Sequence, residues 1–101
     1  MNTRLDLHDF LVNILGSNNV YYQPPESLKL KYPCIKYERA DIRNIPADDS
    51  VYKQSYFYTI TVIDYNPDSD IVERLSKFPT IGFDRHYTAD NLNHDVFTLY
   101  Y

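Results

Sequence analysis

The stretch Tyr52-Lys53-Gln54-Ser55-Tyr56-Phe57-Tyr58-Thr59-Ile60-Thr61-Val62-Ile63-Asp64-Tyr65 carries the longest β signal of the chain. Tyr56, Tyr58, Ile60 and Val62 fall on one side of a pleat, and Phe57, Thr59, Thr61 and Ile63 fall on the other. A strand with aromatic and β-branched residues on both sides is expected in the middle of a sheet, with helices on one face and further cover on the second.

Upstream, Cys34 to Asp41 alternates Ile35 and Tyr37 with Lys36 and Glu38, which predicts a strand with one wet face. Val20 to Gln23 is a short strand stopped by Pro24 and Pro25, since tandem prolines suit neither a helix nor a central strand. Between them, Glu26 to Tyr32 alternates Leu28, Leu30 and Tyr32 with Lys29 and Lys31, either as an edge extension or as an arm whose lysines face solvent. Leu7, Phe10, Leu11, Ile14 and Leu15 line one face of a helix of about three turns. Thr3 is its candidate cap and Gly16 its left-handed stop.

Downstream, Asp64 to Asp68 is a turn leading to a second helix capped by Asp68 or Ser69, with Ile71, Val72, Leu75 and Phe78 as its apolar stripe. Asp70 with Arg74 and Glu73 with Lys77 are i, i+4 pairs on its solvated side, and Pro79 ends it. The remainder is a hairpin: Ile81 to Thr88, a turn through Ala89, Asp90 and Asn91, then Leu92 to Tyr101. The order α-β-β-β-α-β-β predicts a single α+β domain over residues 1–101, one mixed or antiparallel sheet of about five strands packed on two helices.

Composition narrows the function classes. A chain of 101 residues with 44% apolar and 24% charged residues and two glycines is globular and holds one core. A net charge of −4 and a pI of about 5.1 argue against specific nucleic-acid binding, because phosphate contact needs a basic surface. The apolar start is broken by Asp6, His8 and Asp9, unlike a signal peptide, and no apolar run is long enough to span a membrane. One cysteine, Cys34, excludes an internal disulfide.

No constellation of catalytic or ligating residues stands out. Asp64, Asn66, Asp68 and Asp70 open like a calcium loop, but Ser69 stands where the sharp turn needs glycine and Leu75 where a bidentate glutamate should close the shell. His8, His86 and His94 would need to converge with carboxylates such as Asp84, Asp90 or Asp95; His8 is on a helix, and His86 is expected opposite His94 across the last hairpin. Cys34 opens an alternating strand after Pro33, the setting of a buried small hydrophobe and not of a nucleophile. Gly16 and Gly82 are too far apart to cradle a phosphate. The expectation is a protein that is not an enzyme and uses no cofactor and no metal.

Eleven tyrosines and no tryptophan remain. A 12.0 kDa domain cannot satisfy eleven buried phenols, so several belong at a surface, and a tyrosine with a covered ring and a wet hydroxyl is characteristic of interface centres. The candidate oligomer or partner interface is Tyr21, Tyr22, Tyr32, Tyr37, Asn44, Asp48, Asp49 and Tyr52. The polar stretch Asp41 to Ser50 is long for a hairpin turn and is the candidate loop that orders on assembly.

The chain resembles the tail-completion (tail-terminator, or head-to-tail joining) proteins of long-tailed bacteriophages. The resemblance is carried by Asn19-Val20-Tyr21-Tyr22-Gln23-Pro24-Pro25, Leu30-Lys31-Tyr32-Pro33-Cys34-Ile35-Lys36-Tyr37, Thr61-Val62-Ile63-Asp64 with Pro67-Asp68-Ser69, and Phe83-Asp84-Arg85 with Thr88-Ala89-Asp90-Asn91-Leu92-Asn93-His94. It implies a virion structural protein, assembled in the host cytoplasm, that closes into a homo-oligomeric ring, commonly hexameric, at the tail end or neck. Its partners would then be the tail tube protein, the head connector protein, or both. No individual functional residue follows from the resemblance. An acidic chain suits a ring that DNA traverses, since such a ring should not grip phosphates. The alternative is a small soluble adaptor that binds one protein through the Pro24–Lys31 arm.

Overall fold

The computed structural model describes residues 4–25, 27–46 and 52–100, with side chains described for 4–25, 27–40 and 56–100. The elements are helix α1 (Arg4–Leu15), strands β1 (Val20–Tyr22), β2 (Cys34–Pro46) and β3 (Tyr52–Asp64), helix α2 (Asp70–Ser76), and strands β4 (Ile81–Ala89) and β5 (Leu92–Tyr100). The five strands form one mixed sheet in the order β1-β2-β3-β5-β4, so the fold is α+β and β3 is its middle strand. β1 runs parallel to β2, and every other pair is antiparallel.

Alternation decides which residues the sheet hides. Ile35 and Tyr37 of β2, Tyr58, Ile60 and Val62 of β3, and Phe97 and Leu99 of β5 share one face, and Leu7, Leu11 and Leu15 of α1 with Ile71 and Leu75 of α2 cover it. The register places Tyr37 opposite Ile60 and Ile60 opposite Phe97, so the core crosses the sheet in rows. Helix α1 stops and helix α2 starts where the sequence directs, while α2 stops at Ser76, three residues before Pro79. The Gly16 amide at φ +80 donates to the Val12 carbonyl at 2.8 Å, and the Ser69 hydroxyl accepts from the Ile71 amide at 3.2 Å. The Thr3 cap lies outside the described residues. Arg74 reaches across the helix layer to donate to the Ile14 carbonyl at 2.8 Å, tying the open C-terminal end of α1 to α2. Its Nε also donates to the Asp70 carbonyl, so this i, i+4 pair meets through main chain.

The second face is covered at one end only. The chain between β1 and β2 crosses it and lays Leu30 and Tyr32 with Tyr21 over Cys34, Ile63 and Leu92. The Glu26–Tyr32 stretch is therefore an arm and not an edge extension, although Glu26 itself is outside the described residues. Beyond the arm the face is mixed, with Glu38 exposed, Lys36 and Thr59 half-buried, and Phe57 half-buried against Tyr100. The expectation of full cover on both sides of β3 holds near Ile63 and gives way at Thr59, where a threonine tolerates water.

Two boundaries differ from the sequence reading. Residues Asp41 to Pro46, expected in a loop, continue β2, because Asp41 pairs with Phe57 and Pro46 with Tyr52 across β3. Main-chain pairing is indifferent to the polarity of these side chains. The hairpin turn between β4 and β5 holds two residues, Asp90 and Asn91, both at positive φ (53 and 63), as in a two-residue primed turn.

Candidate assembly surfaces

The expected interface tyrosines separate into core and surface. Tyr37 is a core residue and is corrected here: it is fully buried, and its ring packs against Tyr22 at 4.9 Å and Tyr58 at 6.2 Å. Its hydroxyl accepts from Arg4 at 3.4 Å and lies 2.9 Å from His8 Nδ1. Arg4 can only donate, so the phenol oxygen accepts from it and keeps its proton and second lone pair for the histidine. Arg4 and His8 stand one turn apart on α1 and hold this buried hydroxyl together. Burial raises the Tyr37 pKa above the usual tyrosine value, and the same cause raises Tyr58.

Tyr22 is half-buried beneath Arg4, whose guanidinium lies 4.4 Å from the ring centroid. Tyr21, on the opposite face, accepts from the Lys31 amide at 3.4 Å and so fastens the arm. Tyr32 meets Tyr65 edge-on at 6.0 Å, and Tyr65 is 65% exposed. Asn44 and Tyr52 take their places in β2 and β3, and Asp48 and Asp49 lie outside the described residues. The structure thus gathers Tyr21 and Tyr32 at the arm and puts Asn44 and Tyr52 at the far end of the β2–β3 pair.

The arm stands off the sheet and leaves a groove. One part, of about 270 Å³, is lined by Pro24, Pro25, Leu28, Leu30, Tyr32 and Lys36. A second part, of about 80 Å³, adjoins it through Pro24 and Lys36 and reaches Thr59 and Thr61. Its walls are proline and leucine, with a lysine at the junction of the two parts.

Two further surfaces emerge from topology. β4 is the outermost strand, and all of it after Ile81 is exposed; Phe83 is 59% exposed against Phe97, and Tyr87 is 40% exposed and stacked on His94 at 4.6 Å. The β2–β3 pair also outruns its neighbours. β5 leaves β3 at the Phe57–Tyr100 pair, and β1 leaves β2 at the Tyr22–Tyr37 pair, whereas β2 and β3 stay paired as far as Pro46 and Tyr52. The molecule is accordingly elongated, 50 × 26 × 22 Å.

The chemistry-bearing residues are occupied structurally. Asp64 and Asn66 each accept from the amide two residues on, at 3.1 and 3.0 Å, which is turn chemistry leading into the Ser69 cap. His86 bonds Asp95 at 2.8 Å on the helix side of the sheet, while His94 stacks on Tyr87 on the other side. The expected His86–His94 apposition is corrected: the two-residue turn pairs His86 with Asp95 and Tyr87 with His94, and a shift of one residue exchanges faces. Among the described residues no group of three or more His, Cys, Asp or Glu side chains gathers as metal ligands would.

Cys34 is buried and unpaired, and burial pushes its thiol up to about 11. Alkylation by iodoacetamide at pH 8 is expected to be far slower in the folded protein than in urea. The raised value also has a stability consequence. The unfolded thiol ionises near its ordinary value of 9.0 while the folded one holds its proton, so stability present below pH 9 is lost as pH rises towards 11. Denaturant midpoints measured from pH 8 to 11 should fall, and Cys34→Ala should flatten the fall.

Compared with known proteins, the chain matches no family model and no curated protein sequence.

Proposed function

We propose that the chain is a non-enzymatic virion structural protein: a ring-forming tail-completion or tail-terminator subunit that joins the tail tube to the head. The observation that carries the proposal is the β2–β3 ribbon, two strands that extend past the rest of the sheet with no third strand beside them among the described residues. An isolated two-stranded ribbon is marginal in water, so its length is intelligible if another chain completes it. The exposed β4 edge supplies a second, unlike surface, and unlike surfaces on one subunit are what head-to-tail association into a closed ring requires. The segments that resemble tail-completion proteins supply the identity of the assembly. The net charge of −4 is compatible with DNA passing through such a ring without being held.

Native mass spectrometry and negative-stain microscopy of the purified protein test this reading. Ring-shaped particles of a fixed subunit number, or subunits that assemble on purified tail tubes, are expected. A monomer at high concentration that ignores tail tubes would sink the proposal.

The groove beside the arm favours a second reading, an adaptor that takes a peptide between Leu28 and Lys36. Leu28 is 43% exposed and lines the groove, so Leu28→Ser should abolish partner binding by an adaptor while leaving ring formation unchanged.

A further inference from the structure

We infer that the β2–β3 ribbon of one copy adds to the free edge of β4 in a neighbouring copy and continues its sheet by main-chain pairing. This inference rests on the ring reading above and names the contact that would build the ring.

The sheet has two edges, and they are not equivalent. β1 is three residues long, and the chain after it enters Pro24 and Pro25, which have no amide hydrogen to offer. β4 is nine residues long and ends the sheet with its outer row of amides and carbonyls unpaired among the described residues. Such an edge is a template for another strand. The ribbon has the complementary need, since from Arg43–Ser55 to Pro46–Tyr52 each of its strands has a partner on one side only among the described residues.

Charge favours this pairing over a meeting of like edges. The stretch of the ribbon past its neighbours carries Arg43 and Lys53, and the β4–β5 hairpin carries Asp84, Asp90 and Asp95 against Arg85. Asp48 and Asp49 fall between the two strands in sequence and lie outside the described residues. Phe83 and Tyr87 stand on opposite faces of β4, so an added strand would find an apolar side chain to cover on either side. Because ribbon and edge are different patches, each subunit gives one and receives the other.

The experiment uses two full-length chains, Asn44→Cys in the ribbon and Thr88→Cys in β4. The native Cys34 is buried and does not compete. Each chain alone, and the two after mixing and subunit exchange, are treated with a short bis-maleimide whose reach tolerates error in register. The mixed dimer is expected as the dominant product, with loss of that product in high salt. Predominant Thr88→Cys self-dimers would mean β4 pairs with β4, and predominant Asn44→Cys self-dimers would mean ribbon pairs with ribbon; either result overturns the inference. Absence of cross-linking in particles whose mass is that of a ring overturns it too, yet leaves the proposed function standing. Wild-type protein that stays monomeric in the same buffer removes both.

Discussion

Tyr37→Ala should strip the chain of a large part of its stability and lower its denaturation midpoint sharply. The substitution empties a fully buried aromatic site at the centre of the sheet and also takes away the hydroxyl that Arg4 and His8 share. Aromatic-to-alanine changes in a core cost about 3–5 kcal/mol. A domain of this size has a total stability on the order of 5–15 kcal/mol, so the loss is a large fraction of a small margin. Tyr37→Phe separates the two parts of the effect. It keeps the ring and removes only the hydroxyl; Arg4 and His8 are half-buried and can turn to water, so the cost should be about 1 kcal/mol. Urea denaturation followed by far-ultraviolet circular dichroism measures both. A Tyr37→Ala protein as stable as wild type would refute the placement of this residue in the core.

Shortening the ribbon should have the opposite signature: an intact fold and no assembly. Ile42 lies opposite Tyr56, so replacing residues 43–55 by Asn-Gly joins two paired positions through a two-residue primed turn. The core residues nearest the cut, Tyr58 and Tyr37, keep all their neighbours in the sheet and in α1. The expected result is a spectrum and thermal midpoint close to those of wild type, with mass measurements giving only monomer. Rings formed by the shortened chain would show that the ribbon has another purpose. A shortened chain that fails to fold would show that the ribbon stabilises the monomer, which is equally contrary to the proposal.

The central strand was legible because both of its faces alternate cleanly, and the structure puts β3 third of five. Helix α1 was legible for the same reason at a different period, and Gly16 ended it. What alternation cannot express is which strand lies beside which. β5 enters between β3 and β4, and β1 lies parallel to β2, through pairings of residues far apart in sequence. The polar Asp41–Pro46 segment misled because a strand outside the core needs no apolar side chains. Tyr37 carried two signals at once: its alternation with Ile35 pointed inward, whereas its kind pointed to a surface. The structure favours the first, and the reason lies in Arg4 and His8, whose meeting with its hydroxyl spans some thirty residues of sequence. The histidine pairing failed on one residue of turn length, the difference between a loop of Ala89-Asp90-Asn91 and one of Asp90-Asn91.

The strand order also bears on how the chain reaches its fold. β2–β3 and β4–β5 are hairpins, whose contacts can form early because little chain need be closed. They become one sheet only when β3 meets β5, where Phe57 must find Tyr100 and Asp64 must find Asn93. That distant encounter is expected to limit the folding rate. Until it happens, the inner edges of both hairpins are open to strands of other nascent chains. Slow cooling or high expression should therefore yield misjoined aggregates, whereas dilution should favour correctly folded monomers before any ring can form.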